Sequence, residues 1–223
     1  VTIDDTSTTV PTEVAARRDL VAAAAQVAAA GMSPGSSGNV SVRQGDRIIM
    51  SPTGADLAAL DPDRLSVLDF HGTLLDGPKA SKEYPLHRAF YRRDDATRAV
   101  VHVHSVAASA WSCVDPWSER SAVPPLTPYF VMRVGQTPLI PYADPGDPAQ
   151  GDAIEARAVR FRAALLQNHG AITAGRTMAE ALEATIELEH TCGLLLRIGT
   201  KPFQLIPADS ARRLAEKYGS EWD

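Results

Sequence analysis

The 223-residue chain has only two cysteines, Cys113 and Cys192. They are far apart and follow no ligand spacing, which argues against a disulfide scaffold and against a cysteine-built structural metal site. Two unpatterned thiols fit a reducing, cytoplasmic setting and are expected to be buried. No stretch is long and apolar enough to span a bilayer. The alanine-rich run 21–30 follows Arg17-Arg18-Asp19 and lies too far into the chain, in too helical a context, to read as a signal peptide. Basic blocks are absent and the formal net charge is -5, so neither nucleic acid nor a membrane surface is an expected partner. The sequence also lacks a nucleotide phosphate loop, a dinucleotide fingerprint, a serine-hydrolase elbow and internal repeats. No Gly/Ser-rich or charged linker interrupts the interior. One domain over residues 12–223 is therefore expected, after a loose, Thr- and Asp-rich tail at 1–11.

What is present is ordinary globular composition, 44% hydrophobic and 22% charged, with enough length for one large core. Within it, the apolar run Ala99-Val100-Val101-His102-Val103-His104 carries two histidines, and His169 follows a second run, Ala163-Ala164-Leu165-Leu166-Gln167-Asn168. In a strand, residues i and i+2 share a face. His102 and His104 would then project side by side, with Val101 and Val103 buried behind them. Two imidazoles from one strand and a third from another supply three neutral nitrogen ligands, the donor set of an open, catalytic zinc site. A lone histidine would read as a hydrogen-bonded filler. Two on one buried face need partners.

Pro11, Thr12 and Gly31 bracket a helix over 12–30. Ser36-Ser37-Gly38-Asn39 turns into a strand, and 47–50 forms a second strand that ends in Ser51-Pro52-Thr53-Gly54. Residues 64–69 and 73–75 flank His71-Gly72 as a hairpin. Helices are expected at 83–91, 152–160, 178–198 and about 209–218, and strands at 99–104, 139–141, 163–167 and 171–173. Leu182, Ile186, Leu188 and Leu195 are candidates for the buried face of the long helix. The pattern predicts an α/β fold with a central, mixed, largely antiparallel sheet covered by helices rather than βαβ repeats.

Glu83 opens a helix after Ser81 and Lys82, where free N–H groups and the positive end of the dipole suit a phosphate or carboxylate. Glu83 is then a nearby acid/base; the bland alternative is a capping serine followed by an exposed glutamate. The Gly38-Asn39 and Thr53-Gly54 turns read as two further anion loops, although such dipeptides are often only turns.

Together these segments resemble a known family. Gly38-Asn39-Val40-Ser41, Ser51-Pro52-Thr53-Gly54, Ser81-Lys82-Glu83, Val101-His102-Val103-His104-Ser105 and Leu166-Gln167-Asn168-His169-Gly170 match, in order and spacing, the class II aldolase family over residues 13–206. That family includes fuculose-phosphate aldolase and ribulose-phosphate 4-epimerase, and the resemblance implies its three-layer α/β/α arrangement around the central sheet. The resemblance implies zinc, or another divalent ion such as Mn2+ or Co2+, on His102, His104 and His169. It implies Glu83 as acid/base and occasional fourth ligand, and Asn39, Thr53, Gly54, Ser81 and Lys82 as the phosphate set. Tyr129 matches a tyrosine that aldolases contribute from a neighbouring subunit, so a homotetramer with sites between protomers is implied. Glu at position 83, where epimerases typically carry Asp, argues against epimerisation.

Within the family, Lys82 beside Ser81, the stretches Leu126–Gly135 and Pro141–Asp147, and Glu187-Leu188-Glu189-His190-Thr191 resemble the 3-oxo-tetronate 4-phosphate decarboxylases. The implied reaction is loss of CO2 from a phosphorylated 3-oxo sugar acid through a metal-stabilised enediolate, giving dihydroxyacetone phosphate. The alternative is aldol cleavage of a ketose 1-phosphate through the same enediolate. A non-catalytic zinc-binding protein like the adducin head domain would lose the ligands or Glu83, and all are present. A proton donor to carbon would need a pKa near neutrality, which burial favours and zinc opposes. Of the remaining histidines, His71 reads as a solvated turn residue and His190 as an ordinary helix residue. His87, four residues after Glu83, reads as helix-face packing rather than support for the site.

Overall fold

The computed structural model describes residues 11–223; all but Pro11 of the expected tail lies outside the described residues. The first helix, α1 (Glu13–Ala29), is capped by Thr12, whose side chain accepts the Ala15 N–H. Then come β1 (Asn39–Gln44), β2 (Arg47–Met50), two 3-10 turns, β3 (Ser66–Asp69), β4 (Leu74–Asp76), α2 (Tyr84–Arg93) and β5 (Ala99–Val103). The second half contains α3 (Val106–Trp111), α4 (Pro128–Arg133), β6 (Leu139–Ile140), α5 (Ala149–Ala156), β7 (Ala163–Leu166), β8 (Gly170–Gly175), α6 (Met178–Ile198) and α7 (Ala208–Tyr218).

The strands form one eight-stranded sheet in the order β4-β3-β2-β1-β5-β8-β7-β6. Only the β6–β7 pair is parallel; the tight β1–β2, β3–β4 and β7–β8 turns can join antiparallel strands only. The pleat divides the core. Val40, Val42, Val101 and Val103 face α1 and α6 in one apolar cluster. Val100, Ile48, Met50 and Ile172 face Phe90 and Tyr84 of α2 in the other. Alternation along β5 therefore puts His102 on the α2 face, and its register partners are Asn39 on β1 and Ile172 on β8.

Two close approaches need glycine. A Cβ on Gly38, at φ +77°, would stand 2.8 Å from the His102 carbonyl oxygen. One on Gly170 would stand 2.3 Å from the carbonyl oxygen of Val103. Both glycines thus let a turn close over the histidine end of β5.

Several expectations are corrected. α5 starts at Ala149 rather than 152, because Asp147 Oδ1 accepts the Ala149 N–H and the chain becomes extended at Arg157. α3 and α4 did not emerge as helices from sequence periodicity. Each has six residues, too few for a periodic stripe, and α3 has no side-chain cap from its own N-cap serine. Ile186 is exposed on α6, while Leu182, Leu188 and Leu195 are buried. Cys192 is buried as expected, but Cys113, just beyond α3, is exposed.

Candidate metal centre and acid/base

β5 delivers His102 and ends at Val103, so His104 emerges as the chain leaves the sheet. His169 sits in the tight β7–β8 turn, where Asn168 takes φ 57°. The His104 Nε2 atom lies 2.9 Å from His102 Nε2 and 3.1 Å from His169 Nε2. Glu83 completes the group: its Oε2 is 3.4 Å from His102 Nε2, and its Oε1 is 3.2 Å from His169 Nε2. One donor atom from each of these four residues falls within a 4.8 Å span.

The donor set fits a divalent metal on electrostatic grounds. His102 Nδ1 lies 2.9 Å from the Ala171 carbonyl oxygen, which only accepts, so Nδ1 carries the ring proton. Burial holds His102 neutral, its pKa lowered to about 3. Its Nε2 therefore presents a lone pair to the centre, facing a carboxylate oxygen. Burial also lowers the pKa of His104. Burial by itself raises the Glu83 carboxyl, but the hydrogen bonds it accepts from His169 and from the Asn39 amide oppose this, and the group is held below its usual range. An ionised oxygen and an imidazole lone pair converging in a buried space call for a cation between them. Ser81 Oγ does accept the Glu83 N–H, but Glu83 is buried rather than exposed, which removes the bland reading of that residue.

Glu83, His87 and Tyr91 recur at i, i+4 and i+8 along one stripe of α2. Opposite them on β1 lie Asn39 and Ser41, two residues apart on one face. The two rows join through buried hydrogen bonds. Asn39 Nδ2 donates to Glu83 Oε2 at 2.7 Å and to Ser81 Oγ at 3.2 Å. With the amide nitrogen so placed, Asn39 Oδ1 accepts from His87 Nε2 at 2.5 Å. His87 Nδ1 then accepts from Ser41 Oγ at 2.7 Å, and Ser41 accepts from Tyr91 Oη at 2.7 Å. Every donor direction follows from the Asn39–Glu83 contact, and the chain ends on Glu83.

His87 is thus completely buried and supports the site, correcting its reading as packing. The sequence signal was the pairing of an i, i+4, i+8 polar stripe with an i, i+2 polar pair. Both N–H groups of the Asn39 amide are committed to Ser81 and Glu83, so its side chain fixes the position of Glu83.

Burial keeps His87 neutral, its pKa lowered to about 4 from 6.5. The unfolded chain takes up a proton below pH 6.5 that the folded chain refuses until about pH 4, so stability falls across that window as pH falls. The expected loss is about 3 kcal/mol from His87. Urea midpoints of metal-free protein between pH 7 and pH 4 check this. His87→Gln should flatten the slope; an unchanged slope would assign the acid sensitivity to other groups.

Ser81 Oγ accepts from Asn39 and from the Glu83 N–H, which leaves its own proton free to donate. An isolated bridge pairs Pro52 with Ala80, and Thr53 N–H donates to the Lys79 carbonyl at 3.0 Å. The exposed Thr53-Gly54 turn is thereby held beside Ser81 and Lys82. Lys82 is exposed, and its aliphatic stem lies against the loop at Gly146. Tyr129 is not brought to this cluster. It is 57% exposed on α4, with Arg133 over its ring at 5.3 Å, so within this chain its hydroxyl has no role at the histidines.

Residues 18–196 match the family model described as Class II Aldolase and Adducin N-terminal domain. The chain belongs to the class II aldolase family. Other members give finer similarity. A 3-oxo-tetronate 4-phosphate decarboxylase of Haemophilus influenzae is 43% identical over 169 residues, covering 75% of this chain and 80% of that protein. The enzyme of the same name from Pectobacterium atrosepticum is 36% identical over 211 residues, 94% of this chain and 97% of its own. In three dimensions, YgbL of Klebsiella pneumoniae, named as a candidate aldolase, epimerase or decarboxylase, superposes with a TM-score of 0.88 at 37% identity. That match covers 92% of this chain and 100% of the other. No described helix is long and apolar enough to cross a membrane.

Proposed function

We propose that this class II aldolase family member is a divalent-metal-dependent decarboxylase of a 3-oxo-tetronate 4-phosphate, with zinc as the resident ion. The carrying observation is the buried cluster of His102, His104, His169 and Glu83 in a chain so similar to decarboxylases of that name. The three imidazoles would hold the metal, which supplies Lewis-acid stabilisation of the negative charge that develops on the substrate's ketone oxygen. The chain's own residues manage the proton and the anion. Because Glu83 rests ionised, it takes a proton before it gives one. It accepts the proton of the substrate's C2 hydroxyl. The C1–C2 bond then breaks, CO2 leaves, and the electron pair passes into the enediolate. Glu83 returns the proton to C2, and a proton from solvent restores the hydroxyl, giving dihydroxyacetone phosphate. Asn39, held by His87, keeps Oε2 of Glu83 in place and leaves Oε1 facing the cluster.

Ser81, Lys82, Thr53 and Gly54 form the proposed phosphate site. The exposed Tyr129 belongs to the site of a neighbouring copy, and the working assembly is a cytoplasmic homotetramer. Aldol cleavage of a ketose 1-phosphate is the competing reaction, since it passes through the same enediolate.

The deciding assay measures CO2 release against aldehyde release over a panel of phosphorylated 3-oxo acids and ketose phosphates, with sedimentation at assay concentration. CO2 release from the tetronate should dominate. Lys82→Ser should weaken decarboxylation more than any slow aldol cleavage, because the point charge beside an anion site favours the substrate with the extra carboxylate. Equal losses would make Lys82 a general phosphate ligand. Aldehyde release without CO2 would move the assignment to aldolase, and a fully active monomer would remove Tyr129 from the site.

A further inference from the structure

His102 has its ring fixed through Nδ1 by the Ala171 carbonyl. The other two imidazoles have no such support. The ring of His104 bonds only to its two fellow histidines among the described residues. His169 Nδ1 is buried without a partner there. Metal-binding histidines are ordinarily held by a bond to the second ring nitrogen, which sets the ring's direction. Here, two of the three must be positioned through their backbone.

The short helix α3 grips both. Its N-cap, Ser105, directly follows His104, is completely buried, and makes no capping bond to its own helix. Glu189 of α6 does that job from 84 positions away. Its Oε2 accepts from Ser105 Oγ at 2.6 Å and from Ala108 N–H at 2.8 Å, and its Oε1 accepts from Ala107 N–H at 2.9 Å. A carboxylate on free N–H groups at a helix start is favoured by charge as well as by hydrogen bonding. At the other end, Ser109 Oγ donates to the His169 carbonyl at 3.2 Å, and Ser112 Oγ accepts the His169 N–H at 3.3 Å. The Ser112 carbonyl accepts the Asn168 N–H at 3.2 Å.

We propose that Glu189 is a positioning residue for the metal centre: by anchoring α3 to α6 it turns that helix into a strut that fixes the spacing of His104 and His169. This rests on the reading that the three histidines hold a metal. Glutamine at 189 keeps the size but points an amide N–H2 at an N–H or hydroxyl that needs an acceptor.

The test titrates purified, metal-stripped full-length protein with Zn2+ by competition against a chromophoric chelator, and with Co2+ by its visible d–d spectrum, alongside the melting temperature of the metal-free state. Glu189→Gln should bind metal about 10–100-fold more weakly, the size of effect usual for residues that orient ligands, and its Co2+ bands should shift. Ser105→Ala should show a smaller change of the same sign. Glu187→Gln, on the same helix but bonded instead to Thr127 of the α4 cap, should leave both readouts unchanged. Should Glu189→Gln lower only the melting temperature, with Zn2+ affinity and Co2+ spectrum as in the wild type, the carboxylate is a helix cap and the proposal is overturned. If Glu189→Gln fails to fold, Ser105→Ala decides on the same readouts. Wild-type protein that binds neither ion would instead overturn the underlying metal reading.

Discussion

Glu83→Gln is expected to lower kcat for the decarboxylation by about 10²–10⁴-fold, the usual contribution of a positioned proton-transfer group, while the fold and bound metal persist. The structure separates these effects. The Glu83 side chain makes no capping bond to α2, so the helix does not depend on its charge. The glutamine oxygen still accepts from Asn39 Nδ2, replacing the 2.7 Å contact made by Oε2. What the amide cannot do is take up a proton and return it to carbon. Steady-state kinetics with metal analysis of the same preparation measure both quantities. A rate near that of the wild type would reduce Glu83 to a packing and hydrogen-bonding element. A loss of metal in parallel with rate would make it chiefly a ligand.

The second large effect is on metal content. Wild-type protein should bind one divalent ion per chain, and the His102→Ala/His104→Ala variant should bind almost none, with activity absent and not restored by added Zn2+. Two of the converging Nε2 atoms are removed, and a pocket left with Glu83 and one imidazole holds a transition metal poorly. His102 is completely buried and bonded to Ala171, so its truncation also leaves a cavity and an unpaired carbonyl. The single variant His104→Ala guards against loss of fold, because His104 lies beyond the strand and is only half-buried. It should melt close to the wild type and still lose most of its metal. Equal metal in wild type and variants, by elemental analysis, would remove the histidines from the site.

The parts of this protein legible in its sequence are those encoded by neighbours in the chain. The His-x-His pair, the hairpin turn of His169 and the helix start at Glu83 each combine a local period with a local turn, and backbone geometry converts both directly into direction. Resemblance to the class II aldolases joined these pieces before any coordinate did. Long elements such as α6, with its full 178–198 span, were equally readable because apolar periodicity accumulates over many turns.

Tertiary structure alone decided the rest. The local stripe of Glu83, His87 and Tyr91 does not by itself declare the role of His87, since its partners Asn39 and Ser41 lie on a strand 48 and 46 residues away. α3 is too short for a periodic signal and takes its cap from another helix. Asn39 reads from the sequence as an anion donor, and only the fold commits both its N–H groups to Ser81 and Glu83. The sequence by itself determined which chemical groups are available and which way each local segment turns. Only the folded sheet decided which groups meet, because buried polar atoms must find partners wherever the topology brings them, and that pairing is a property of the packed layers rather than of any stretch of chain.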